Sequence, residues 1–84
     1  MDKKRAIFPG SFDPFTIGHY DIVMRGLDLF DEIVIGIGHN SQKRSTFPLD
    51  QRIQAIQQAF TNEPRIRVEA YEGLTIDFAT THHA

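Results

Sequence analysis

The sequence predicts an α/β fold, a doubly wound parallel sheet with helices packed on it, cut short after three strands. Two apolar runs, Ala6-Ile-Phe8 and Glu32-Ile-Val-Ile-Gly-Ile-Gly38, do not alternate, which is the signature of interior strands buried on both faces. A third run, Arg65 to Ala70, does alternate. It puts Ile66, Val68 and Ala70 on one face and Arg65, Arg67 and Glu69 on the other, as a half-exposed strand near a sheet edge does. Between the three runs the apolar residues recur at three-to-four-residue spacing, the period of a helix with one buried face.

Each element can be justified in order. Pro9 and Gly10 close the first strand, and the turn Gly10-Ser-Phe-Asp-Pro-Phe-Thr16 follows. The first helix carries the rhythm Tyr20, Val23, Met24, Leu27 and Phe30, with Gly26 inside it at a cost of about 1 kcal/mol relative to alanine. The second strand leads into a polar loop and then a helix with Leu49, Ile53, Ile56 and Phe60 on one face. Pro48 suits its first turn, where a missing N–H costs little, and Asn62 with Pro64 ends it. After the third strand another helix is expected from near Leu74 through Ile76, Asp77, Phe78 and Ala79. The order β-α-β-α-β-α requires right-handed crossovers and therefore a parallel sheet. The last residues, Thr80 to Ala84, fall at the end of a helix that should lead into a further strand, so the fold is expected to be incomplete.

Composition sets the class of chemistry. With 84 residues, 40% of them hydrophobic and 24% charged, the chain suits a single domain or part of one, spanning residues 1–84, with no repeat and no linker. No run reaches the roughly 18 apolar residues of a membrane span, and the Met1 to Arg5 start lacks the apolar stretch of a signal peptide, so a cytoplasmic location is expected. Without cysteine there is no disulfide, no thiolate nucleophile and no thiolate metal site. The formal charge of −2 gives no general attraction to nucleic acid or to an anionic membrane. An anionic ligand must be held by a local set of donors, which points to a small phosphate compound.

The first strand-to-helix turn is where such donors belong, because ligands of open α/β sheets bind beyond the carboxyl ends of the strands. In Gly10 to His19, Gly10 lets the backbone leave the strand at angles other residues resist, and Ser11 brings a hydroxyl and an N–H. Gly18 removes side-chain bulk where a phosphate would meet the helix start, whose free N–H groups and dipole favour an anion. His19 sits in the same turn of helix. The stretch lacks the Gly-Lys-Ser/Thr of a Walker A loop and the GxGxxG of dinucleotide binders. Standing alone, the same residues also fit plain turn chemistry and a capping histidine.

The segment Phe8 to His19, FPGSFDPFTIGH, with Thr16-Ile-Gly-His19 as a TxGH signature, resembles the nucleotidyltransferase superfamily that carries TxGH or HxGH after its first strand. Within it the chain resembles the phosphopantetheine adenylyltransferases, and the similarity extends through YDIVMRGLDLFDEIVIGI, SQKRSTFPLDQRI and GLTIDFA, essentially the whole chain. The resemblance implies a Rossmann-like nucleotidyltransferase fold and transfer of AMP from ATP to 4'-phosphopantetheine, giving dephospho-coenzyme A and pyrophosphate. It implies that His19 stabilises charge on the phosphates, which would favour its imidazolium form. By the same resemblance Ser11, where many relatives have threonine, contacts both substrates, and Lys43 orients the nucleophilic phosphate. The resemblance also puts Phe12 and Gly18 at ATP, Phe12 shaping the adenylate pocket through its backbone N–H while its ring suits the core. Leu74 and Thr75 match positions that contact the pantetheine arm, or are an ordinary helix start.

Magnesium is expected to arrive on the ATP phosphates and not in a protein cage. Asp13 is half of an Asp-Pro turn pair and Asp21 a first-turn helix residue, so neither is taken as a metal ligand. His82 and His83 are adjacent and face different ways, which suits structural positions. Members of the resembled family are longer, with a fourth strand, an Arg-Gly loop and a Ser/Thr-rich nucleotide motif further on, and they form homohexamers. The residues up to Ala84 are thus expected to be an N-terminal half, inactive alone. A sibling enzyme acting on nicotinamide or nicotinate mononucleotide, a cytidylyltransferase, and a small non-catalytic nucleotide-binding module remain as alternatives; Thr16 in the signature and Lys43 in its loop favour the pantetheine enzyme.

Overall fold

The computed structural model describes residues 4–38 and 47–72, in the order β1 (Arg5–Gly10), α1 (Ile17–Gly26), β2 (Glu32–Gly38), α2 (Leu49–Ala59) and β3 (Ile66–Tyr71). The three strands lie in the order β1-β2-β3, and both pairings are parallel. Parallel pairing brings all three carboxyl ends to one edge of the sheet, with Gly10 beside Ile37 and Gly38 beside Tyr71. Everything that follows strands β1 and β2 therefore starts from that edge.

Register also decides the faces. Ala6 and Phe8 align with Ile33 and Ile35, and these with Ile66 and Val68, so one face of the sheet is a continuous apolar surface. Val23 and Leu27 from α1 and its exit, and Ile56 and Phe60 from α2, are buried in the same cluster as Ile33, Ile35 and Ile37. Both helices thus cover the same face, and they meet where the Tyr20 ring stacks on Phe60 at 5.2 Å and 11°. Val34, on the opposite face, is also fully buried. Each fully buried isoleucine of this set contributes roughly 1.5–3 kcal/mol of transfer free energy.

Gly26 has a packing reason. A Cβ placed on it would lie 2.8 Å from Ile33 Cδ1, so the glycine lets the end of α1 approach β2. The helix ends there, and Leu27 completes its cap by donating to the carbonyls of Arg25 and Val23.

Several expectations change in the structure. β2 is the fully buried interior strand, whereas β1 is only half-buried and, like β3, flanks the described sheet. The apolar rhythm of the first helix outruns its buried face: Val23 and Leu27 are buried, but Met24, off that face, is 38% exposed and Phe30, past the helix end at Gly26, is 36% exposed. Pro48 is the N-cap of α2 and not its first-turn residue, and Asp50 supplies a carboxylate to that helix start. Strand β3 runs to Tyr71, and Ala70 is exposed although it shares its face with Ile66 and Val68, which lie under the helices. The third helix expected from Leu74 lies outside the described residues. At the amino edge Glu32 joins Arg5 at 2.9 Å and Arg67 at 3.8 Å, an ion-pair link across all three strands.

Candidate functional site at the first strand-to-helix turn

The turn after β1 is built around one aromatic ring. Phe12 adopts φ of 48°, the left-handed region that a bulky residue takes only when its surroundings impose it. Its side chain is buried, and around it stand Phe8 at 5.3 Å, Phe15 at 5.7 Å and His19 at 4.9 Å between ring centroids. Gly10 admits that ring: a Cβ on Gly10 would meet Phe12 Cζ at 3.0 Å. This corrects the expected role of Gly10, which lies within β1 and supplies space instead of an unusual departure angle.

Two bonds from α2 and its approach hold the turn in place. The Phe47 N–H donates to Asp13 Oδ1 at 2.7 Å, beside the cis Asp13–Pro14 peptide. Arg52, buried to 4% exposure, donates from its guanidinium to the Ser11 carbonyl at 2.8 Å. A hydrogen bond from a charged donor is worth about 1.5–3 kcal/mol, and burying a guanidinium is favourable only when such bonds satisfy it. Arg52 is therefore placed to set the backbone of Ser11, whose own position at the strand end is exposed.

The helix that follows begins with a capping box of unusual composition. Thr16 is the N-cap, extended at φ −110° and ψ 170°, and its hydroxyl accepts from the His19 N–H at 3.4 Å. In return the Thr16 N–H donates to His19 Nδ1 at 2.9 Å, where such boxes ordinarily use a glutamate or glutamine. The Thr16 hydroxyl also lies 3.1 Å from Nδ1. A backbone N–H can only donate, so Nδ1 is the acceptor and the neutral ring carries its proton on Nε2. The imidazole is half-buried against Phe8, Phe12 and Phe15. Its Nε2 has no hydrogen-bond partner among the described residues and points away from Thr16.

Beside that donor the helix start is open. Among the described residues the Ile17 and Gly18 N–H groups have no acceptor, as first-turn amides lack one within a helix. A Cβ on Gly18 would meet only Thr16 Oγ1, at 3.6 Å, so nothing in the described fold requires glycine there. A glycine that costs helix stability without a packing reason among the described residues fits close approach by something other than them.

Of the residues singled out by sequence, Ser11, Phe12, Gly18 and His19 are thus gathered within one turn. Phe12 resolves as a core ring on a left-handed backbone. Asp13 spends its carboxylate on Phe47, and Asp21 is an exposed second-turn residue, not a first-turn one. Lys43, Leu74 and Thr75 lie outside the described residues, as do His82 and His83. Two residues escaped the sequence reading. Arg52 lies between Leu49 and Ile53 on the apolar face of α2, and a lone arginine on such a stripe is the available signal. Thr16 was noticed only as part of a signature, although Thr-x-x-His has the spacing of a capping box.

A parallel α/β sheet whose first helix starts at the strands' carboxyl edge is of the Rossmann-like class, and the chain belongs to the cytidylyltransferase-like family, which matches it over residues 7–84. Among curated proteins it is similar to the phosphopantetheine adenylyltransferase of Phocaeicola vulgatus, 54% identical over 81 residues that make 96% of this chain and 54% of the relative. That of Bacteroides fragilis is 58% identical over 76 residues, 90% of this chain and 51% of the relative. The chain therefore spans about half the length of the curated relatives it matches. Among solved structures, a bifunctional NMN adenylyltransferase/ADP ribose pyrophosphatase from Francisella tularensis superposes with a TM-score of 0.79 at 19% identity, over 99% of this chain and 29% of that one. A NadR protein in complex with NAD and AMP-PNP gives 0.75 at 24% identity, over 87% of this chain and 21% of that one. At such identities the likeness is one of fold, and it bears out the Rossmann-like parallel sheet.

Proposed function

We propose that the chain supplies the phosphate-binding half of an adenylyltransferase that moves AMP from ATP to 4'-phosphopantetheine, in coenzyme A biosynthesis. The observation that carries this reading is the helix start, where the free Ile17 and Gly18 amides, an open Gly18 and the Nε2 donor of His19 share one corner at the carboxyl edge of the sheet. The names of the relatives, at identities above one half, support the choice of acceptor.

The chemistry asks little of the protein beyond position. A phosphate oxygen of the acceptor attacks the α-phosphorus of ATP, the bond from that phosphorus to the oxygen bridging to the β-phosphate breaks, and pyrophosphate leaves with its electron pair. The nucleophile is already an anion, so no proton needs to be removed. What speeds the step is alignment and stabilisation of charge growing on the equatorial and leaving oxygens. Here the helix-start amides and His19 Nε2–H donate to those oxygens, Ser11 lies at the strand end beside them, and magnesium enters as part of the MgATP substrate. Lys43 orients the attacking phosphate, and Leu74 and Thr75 line the pantetheine arm. This chain matches about half the length of its relatives, and the rest of the site falls, on this reading, to the part they have beyond it, with no turnover by the 84 residues alone. The complete protein assembles as a homohexamer in the cytoplasm; among the described residues no helix is long and apolar enough to cross a membrane.

The test uses this chain continued into the remaining sequence of the Bacteroides fragilis relative, called below the completed chain. Pyrophosphate release from MgATP is measured with 4'-phosphopantetheine, nicotinamide mononucleotide and nicotinate mononucleotide, and from MgCTP with phosphoalcohols. Release with phosphopantetheine is expected, and its absence beside release with another acceptor would reject the assignment. Circular dichroism of the 84 residues with and without ATP tests the rest: cooperative folding with ATP binding would sink the half-site reading in favour of a self-sufficient binding module.

A further inference from the structure

We propose that Thr16 is a positioning residue that locks His19 in one tautomer, so that the ring can meet a ligand only through an Nε2–H donor. Three distances carry this. The Thr16 N–H donates to Nδ1 at 2.9 Å, the Thr16 hydroxyl lies 3.1 Å from the same nitrogen, and that hydroxyl's oxygen accepts the His19 N–H at 3.4 Å. With its oxygen accepting from His19, the hydroxyl is free to direct its own hydrogen at Nδ1. Two donors then share one lone pair.

The consequence follows from what an imidazole can do. A neutral ring has one N–H and one lone pair, and the alternative tautomer would set an Nδ1–H against the Thr16 N–H at hydrogen-bonding distance. The lone pair is thereby committed to Thr16, and the remaining nitrogen must donate. Packing fixes the plane as well: Phe12 meets the ring edge-on at 82° and 4.9 Å, and Phe15 lies against it at 5.5 Å. The capping box, ordinarily a device for satisfying helix-end amides, here also sets the polarity of a side chain at the candidate site. It gives a phosphate a fixed donor that needs no reorganisation, the arrangement most useful to a charge that develops during reaction.

That His19 faces phosphate rests on the function proposed above; the tautomer lock does not, and the experiment separates them. The completed chain is labelled with ¹⁵N-histidine, and long-range ¹H–¹⁵N correlations are recorded without ligand at a pH where the ring is neutral, His19 being assigned by loss of its signals in His19→Gln. Wild type is expected to show a pyrrole-type Nε2 and a pyridine-type Nδ1. Thr16→Ser keeps that pattern and stays within about twofold in kcat. Thr16→Val keeps the N–H, so the Nε2–H tautomer still dominates, but it removes the second donor: the Nδ1 resonance moves toward that of an unbonded pyridine-type nitrogen and kcat falls up to about tenfold, the effect of one such hydrogen bond, with the KM for ATP little changed. An Nδ1–H ring in the wild-type spectrum overturns the proposal whatever the variants do. A wild-type spectrum and kcat in Thr16→Val overturn it for the hydroxyl. The expected spectra with no adenylyl transfer to any acceptor would leave the lock standing and remove the function.

Discussion

Two glycines in one turn should respond to alanine in opposite ways. At Gly10 the new methyl lies 3.0, 3.2 and 3.3 Å from three atoms of the Phe12 ring, which cannot retreat because Phe8, Phe15 and His19 surround it. Overpacking of this kind costs about 1–3 kcal/mol. At about 2–4 °C per kcal/mol for a chain near the completed length, the melting temperature should fall by roughly 2–12 °C. At Gly18 the methyl finds only Thr16 Oγ1 at 3.6 Å, and the helix gains up to about 1 kcal/mol from the better helix former. Gly18→Ala should thus melt at or slightly above wild type. It should nevertheless bind MgATP about 10- to 100-fold more weakly, since crowding one charge-assisted hydrogen bond to phosphate forfeits about 1.5–3 kcal/mol. The assays are thermal unfolding by circular dichroism and MgATP titration by calorimetry on the completed chain. Undiminished MgATP affinity in Gly18→Ala would refute the assignment of the open helix start to phosphate, and an unchanged melting temperature in Gly10→Ala would refute the packing argument for Phe12.

Further outcomes follow from the same geometry. Ile35→Ala, at a fully buried position of the central strand, should destabilise by about 2–5 kcal/mol in chemical denaturation, with little change in MgATP affinity if the completed chain remains folded. Arg52→Met should lose the donor to the Ser11 carbonyl, raising the KM for ATP more than it lowers the melting temperature, because burying methionine in place of a guanidinium offsets part of the lost bond; equal KM values would remove Arg52 from the site. Glu63 accepts both hydrogen bonds of the Arg65 guanidinium, at 2.9 and 3.0 Å, which holds its carboxyl below the ordinary value of 4.5. The pair's contribution is present above that ordinary value and is lost as pH falls through the lowered one. NMR titration should place Glu63 below 4.5 and move it up toward that value in Arg65→Gln, which removes the guanidinium but keeps the backbone N–H bond of residue 65.

Local signals carried much of the architecture. The unbroken run Glu32 to Gly38 announced a strand buried on both faces, and the structure buries Ile33 to Ile37 without exception. Alternation from Arg65 placed β3 near an edge, and it flanks the described sheet. Periodicity could not locate helix ends, since Met24 and Phe30 satisfy the spacing yet sit beyond the buried face or past the stop at Gly26. Nor could it show that β1 flanks the described sheet, because a strand's neighbours are chosen by the whole topology. At the turn, residue type and position singled out Ser11, Gly18 and His19, and the structure places all three between the end of β1 and the first turn of α1. Arg52 was not, since its partner is a main-chain carbonyl 41 residues away that no local pattern encodes.

By itself the sequence determined the class of fold and the family resemblance, and it singled out the turn after β1, because each of these depends on residue type and short-range spacing. Only the tertiary structure decided what the turn's residues do to one another. It made Gly10 a space for Phe12 and Arg52 a brace for Ser11, and it made the Thr16–His19 cap a fixed donor. Those roles depend on distances between side chains brought together by packing, and distance across a fold is the quantity that spacing along a chain does not contain.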